Sequence, residues 1–143
     1  MTRREWLSAL AQARRAVLAR LVRLVGIPPS LETVRPASSG LLLTTVEESV
    51  EHRAFHPGEI LVSTCEVRVD GRVGRGIVLG TAAEAAEHCA ILDAYLQGPG
   101  ARRDEVLEAL AEENRWRLAQ QQAEWEMVQA TRVRFDTMEP QRP

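Results

Sequence analysis

The sequence contains no lysine. All 18 of its Lys and Arg residues are arginine, which excludes a Schiff-base lysine, a lysine general base and a Walker-type lysine on phosphate. Any anion held here is held by arginine, by backbone N–H or by a partner. Cysteine is scarce: Cys65 and Cys89 are the two present, they lack C-x-x-C spacing, and each sits among apolar residues. Two unbridged core thiols in a reducing, cytoplasmic compartment are expected. Aromatics make up 4% of the chain and the net charge is −2, so neither base stacking nor a basic field supports nucleic-acid binding, despite Arg102, Arg103 and the terminal arginines. No apolar run approaches the ~20 residues a membrane span needs, and the arginine-rich residues 1–25 lack the apolar h-region of a secretory signal. There is no G-x-S-x-G elbow, no H-E-x-x-H and no internal repeat.

What is present reads as one α+β domain over 1–143. Residues 1–25 form an N-terminal helix: Trp6, Leu10, Ala13, Val17, Leu21 and Leu24 recur at helical spacing. Arg14 and Arg15 fall midway, which allows a break into two shorter helices. The expected role is to cover the domain's own sheet, and Gly26 with Pro28-Pro29 ends the helix. Residues 31–80 are strand-rich. "LETVRP" predicts a short strand stopping at Pro36, "SSG" a turn, and "LLLTTV" (41–46) a second strand. "EESVEHRAFHPG" (47–58) reads as an acidic loop, and "EILVSTCEVRV" (59–69) as a long strand. Asp70-Gly71 predicts a two-residue hairpin turn into "RVGRGIVLG" (72–80).

The stretch from Asp70 to Gly80 packs Gly71, Gly74, Gly76 and Gly80 together with Arg72 and Arg75, a composition that suggests a phosphate cradle. Its spacing runs G-x-x-G-x-G, the reverse of the dinucleotide fingerprint, and it lies within a hairpin rather than between strand and helix. Glycines inside a strand instead signal a helix or another backbone lying close over that face. Gly80 precedes "TAAE", a capping box with Thr81 as N-cap and Glu84 at N3, and the N-terminus so formed is a generic anion site.

Residues 81–129 hold two helices: an alanine-rich one from Thr81 to Gln97, small enough to lie close on Gly74 and Gly76, and a long polar one over 102–129. The second has two apolar faces. One is Val106, Leu107, Leu110, Leu118, Trp125 and Val128; the other is Trp116, Ala119, Ala123 and Met127, which suits a partner. Residues 130–143 form a terminal strand and tail, in which Arg132 and Arg134 share one face and Val133 and Phe135 the other. The candidate interface is therefore Arg132, Arg134, Phe135, Trp116 and Met127. One enzymatic alternative competes: a small metal-dependent hydrolase using His52 and His56, beside Glu47, Glu48 and Glu51. Against it, loop residues four apart share no face, and a catalytic zinc wants three fixed ligands.

"FHPGEILVSTCEV", "GRVGRGIVLG", "AEHCAILDAYLQ" and "ATRVRFDTM", in this order, resemble the G subunit of the bacterial carbon–phosphorus lyase system, the PhnG family. "REWLSALAQA" and "VRPASSGLLL" before them fit as well, so the resemblance covers nearly the whole chain. Departures fall at Pro57, Asp136, Thr81-Ala82 and the acidic loop 47–54. The resemblance implies a subunit of a core complex with the H, I and J chain types and an associated ATP-binding-cassette-like protein. That complex attaches an alkylphosphonate to the ribose of ATP in place of adenine, making a ribose 1-alkylphosphonate 5-triphosphate. It implies a supporting chain with no catalytic residue of its own to name, no cofactor or metal bound by this chain alone, ATP as a substrate of the complex, and neither nucleic acid nor membrane as partner. The expected architecture is a small, mainly antiparallel sheet built on a long hairpin, packed by an N-terminal helix and two C-terminal helices.

Overall fold

The computed structural model describes residues 1–47 and 51–131. Four helices and one three-stranded antiparallel sheet follow in the order α1 (Arg3–Gln12), α2 (Arg15–Val25), β1 (Glu32–Glu47), β2 (Ala54–Val69), β3 (Arg72–Leu79), α3 (Ala83–Leu96) and α4 (Arg103–Ala130). The sheet order is β1-β2-β3, the α+β arrangement built on hairpins that the sequence predicts.

The N-terminal helical stretch breaks in two at its arginine pair. Ala13 and Arg14 are both extended, with ψ of 148° and 140°. A Thr2–Glu5 capping box starts α1: the Thr2 side chain accepts from the Glu5 N–H, and the Glu5 carboxylate accepts from the Thr2 N–H.

β1 is one 16-residue strand, not two strands around a turn. Pro36 is absorbed instead: the β1–β2 register shifts between Thr33 and Arg35 and again between Arg35 and Ser38. Bulges on an edge strand accommodate a residue with no N–H to donate. β2 also starts earlier than predicted. Gly58 pairs with Thr44 and Ala54 with Glu47, so His56, Pro57 and Gly58 are strand residues and the acidic loop is shorter. The hairpin turn falls where expected, with positive φ at Asp70 (49°) and Gly71 (78°), the pair of left-handed residues a type I′ turn requires.

α3 is the centre of the molecule. Nine of its residues are buried, from Ala85 to Leu96, and a helix with so wide an apolar surface must be covered on several sides. It packs on β2 and β3 with one face and meets α1 and α2 with others. α3, rather than the N-terminal helix, therefore covers the sheet. Gly74 and Gly76 make its approach possible. A Cβ on Gly74 would overlap the Ala90 carbonyl oxygen, and one on Gly76 the Ala86 carbonyl oxygen. Both obstacles are helix backbone, which cannot turn aside as a side chain can. Cys65 and Val67, opposite Gly76 and Gly74 in the ladder, face the same core with Val69 and Val78.

The start of α3 differs from the predicted capping box. The N-cap is Ala82, and no side chain of its own segment caps it. Ser63 of β2, wholly buried, does the bonding from across the sheet edge. Its Oγ accepts from the Ala82 N–H at 2.8 Å and donates to the Gly80 carbonyl at 2.7 Å, with the Ser39 hydroxyl 2.8 Å away.

Candidate interaction site

Two buried carboxylates fasten the helices. Asp93 lies on α3 with no exposed surface, yet every polar contact is answered. Arg3 donates from Nε (3.2 Å) and Nη2 (2.8 Å), Trp6 from Nε1 (2.9 Å) and Arg75 from its backbone N–H (3.0 Å). These bonds hold α1 and β3 to one point on α3, and the Asp93 carboxylate raises the pKa of Arg3. Glu113 of α4 plays the corresponding part at the α1–α2 break. It accepts from the Arg14 N–H (3.0 Å), Nε (2.8 Å) and Nη2 (2.6 Å). The same guanidinium stacks on Trp116 at 3.8 Å from the ring centroid. Hydrogen bonding to Arg14 pulls the Glu113 pKa down against the opposing effect of burial. Sequence reading passed over both acids. A lone Asp in an alanine-rich helix was the available signal for the first, since a charge on a buried face demands partners.

The glycine–arginine strand is mostly engaged within the chain, although the buried Arg72 Nε has no hydrogen-bond partner among the described residues. Its glycines lie under α3, the Arg75 guanidinium is 3.6 Å from Glu66, and Arg72 pairs with Asp70 at 3.0 Å. The hollow of about 410 Å³ at the start of α3 is lined by Arg15, Thr81, Glu84 and His88 among alanines. There the Ala82 N–H is already bonded to Ser63.

The two histidines of the hydrolase alternative are not brought to a shared centre. His52 sits in a turn at φ 52° with its Nδ1 2.9 Å from Glu47. His56 is on β2 with its Nδ1 near Thr45 Oγ1 and the Thr44 carbonyl, both at 3.2 Å. Among the described residues no group of three or more His, Cys, Asp or Glu side chains is placed to hold a metal ion. The cysteines are free and buried. Burial pushes the Cys89 thiol up to about 12 and raises that of Cys65, the reverse of the shift that makes a nucleophile.

Among the described residues, apolar surface is left uncovered in two regions. β2 runs on past the end of β3, so the far half of the β1–β2 hairpin is a two-stranded ribbon. It exposes Leu41, Leu43 and Leu61 on one face and Leu42 and Ile60 on the other. Ile77 and Leu79 of β3 continue the second face, and Leu79 is 73% exposed. A lone two-stranded ribbon is at best marginally stable in water, and exposed apolar patches mark interaction sites. The free edge of this ribbon is guarded. The Gly80 N–H bonds the Leu61 carbonyl, so Leu61 turns its backbone towards the β3 side. By alternation Glu59 turns the same way, and the register irregularity opposite Thr45 falls at His56 and Pro57, the second of which has no N–H to offer. Contact through the faces is thereby favoured over strand addition at the edge.

The second uncovered region is the end of α4. Its buried residues are Val106, Leu110 and Glu113, all in the first half. From Leu118 to Ala130 every residue is exposed, including Trp125 at 58% and Met127 at 68%. Of the candidate interface residues, Met127 lies on this free end and Trp116, 44% exposed, lies at its root over Arg14. Arg132, Arg134 and Phe135 lie outside the described residues.

The arrangement defines a class: an α+β chain whose polar clusters fasten its own helices and whose open surfaces are apolar. No described helix is long and apolar enough to cross a membrane. The particular family follows from comparison with known proteins. The family model for phosphonate metabolism protein PhnG matches residues 1–140 of the 143. The chain belongs to the PhnG family, and it is a phosphonate metabolism protein.

Proposed function

We propose that this chain is a supporting, non-catalytic subunit of the carbon–phosphorus lyase core complex in the cytoplasm. It assembles there with chains of the H, I and J types and with the ATP-binding-cassette-like protein. The complex takes ATP and an alkylphosphonate, releases adenine and forms the ribose 1-alkylphosphonate 5-triphosphate. The observation that carries this reading is the uncovered apolar sheet face of Leu42, Ile60, Ile77 and Leu79 on a chain that belongs to a phosphonate metabolism family. Such a face, rimmed by Glu66, Arg68 and Arg75 further along the sheet, has the apolar centre and charged border of a protein–protein interface. The chain's carboxylates and guanidiniums near the core are engaged with one another, which supports a role in assembly rather than chemistry. ATP is then a substrate of the complex, with no cofactor held by this chain alone.

Co-expression with the other core subunits tests it. The chain should co-purify with them, and Leu79→Glu should abolish co-purification while the variant keeps its own melting transition. The purified chain alone should release no adenine from ATP and methylphosphonate. Adenine release by the isolated chain, lost in His52→Ala or His56→Ala, would overturn the reading in favour of a free-standing hydrolase.

A further inference from the structure

We infer that the free end of α4 docks antiparallel on a second copy of this chain, in the groove between that copy's α1 and α4. The groove is open, about 1030 Å³, and lined among others by Met1, Ala9, Leu107, Ala111, Asn114 and Leu118. Its α4 wall and the free end are one continuous helix face. Ala111, Asn114, Leu118, Gln121, Trp125 and Val128 recur at alternating intervals of three and four, the spacing of a two-helix seam. The free end extends roughly 20 Å at 1.5 Å per residue, long enough to lie along the exposed stretch of an equivalent helix. With a two-fold axis between Ala119 and Gln120, Leu118 faces Gln121 of the second copy. Trp125 then reaches Asn114 on the groove floor, and Val128 reaches Ala111.

Charge selects the occupant and its direction. Arg117 and Glu124 are two turns apart on the same flank of the seam. In an antiparallel pair related by a two-fold axis, each flank meets its own counterpart, so Arg117 of each copy meets Glu124 of the other. A parallel pairing would not bring them together. Within the chain Arg117 bonds only neutral groups, Asn114 Oδ1 at 2.8 Å and Gln121 Oε1 at 3.1 Å. Among the described residues neither Arg117 nor Glu124 forms an ion pair within the chain.

Sedimentation of the full chain tests the pairing, with circular dichroism confirming that every variant is folded. The original chain should be a dimer. Arg117→Glu and Glu124→Arg should each weaken it at least about tenfold, because each puts like charges together at both symmetry-related positions. An equimolar mixture of the two variants should recover the dimer, since their charges are then opposite at both contacts. Trp125→Ala should dissociate it, and Leu79→Glu, on the far sheet face, should not. A monomeric original chain, charge variants as dimeric as the original, or a mixture that fails to recover would each overturn the inference. So would a chain that is monomeric alone and loses a different core subunit on Trp125→Ala.

Discussion

Helices α3 and α4 have nearly opposite relations to the molecule. α3 buries nine of its 14 residues and α4 only three of its 28, although α4 carries two tryptophans, a methionine and several branched aliphatics. The difference lies in side-chain size and neighbours. α3 presents alanines to two glycines and so comes close enough to the sheet for its second half to be enclosed almost all round, with Ala83, Glu84 and Glu87 of its start left exposed. α4 touches the body with one face of its first half and then leaves it, taking Trp125, Met127 and Val128 into solvent. Apolar content alone therefore does not place a helix in a core. Among the described residues two large apolar regions remain open, the ribbon end with its sheet face and the end of α4.

The contrast is tested most severely at the glycines. Gly76→Val sets a branched side chain against the Ala86 carbonyl and forces α3 off the sheet. A loss of about 4 kcal/mol or more, or no cooperative unfolding in urea, is expected. Asp93→Ala should follow at about 3 kcal/mol, because the buried Trp6 Nε1 and Arg75 N–H lose their acceptor while Arg3 keeps access to water. Glu113→Gln should cost about a third as much, since the Arg14 side chain is half exposed and solvent screens the pair. This loss carries a pH signature. Arg14 holds the folded-state Glu113 pKa below its ordinary value, so the stabilisation is fully present above the ordinary glutamate range, near pH 4.3, and is lost as pH falls through the folded value. The original chain and Glu113→Gln should converge in melting temperature at acid pH; a constant gap down to pH 3 would refute the assignment. The smallest effect on stability should come from Leu79→Ser, within about 0.5 kcal/mol, with its consequence confined to capture of the other core subunits. A large loss of stability there would mean that the sheet face belongs to the chain's own core.

Local signals in the chain were sufficient for several elements. Asp70-Gly71 specified its turn because few residues tolerate two consecutive left-handed conformations. Gly74 and Gly76 signalled the close approach of a helix or another backbone, because two glycines on one face of a strand leave room for one. The arginine pair marked the break between α1 and α2. Strand limits were less legible. Pro36 read as a stop and Pro57 as part of a loop, yet both fall within long strands, each beside a register shift where a missing N–H is accommodated.

By itself, then, the sequence determined the α+β class, the long hairpin, the glycine-floored sheet and the supply of apolar surface beyond what a first core needs. These follow from backbone preference and periodicity, which act over a few residues. Only the tertiary structure decided that Ser63 rather than Thr81 bonds the start of α3, that Asp93 gathers Arg3, Trp6 and Arg75, and that Glu113 clasps Arg14. Those partners lie 18 to 99 residues apart in the chain. Buried polar groups take whatever complementary group the fold brings within about 3 Å, and no local pattern records which one that is.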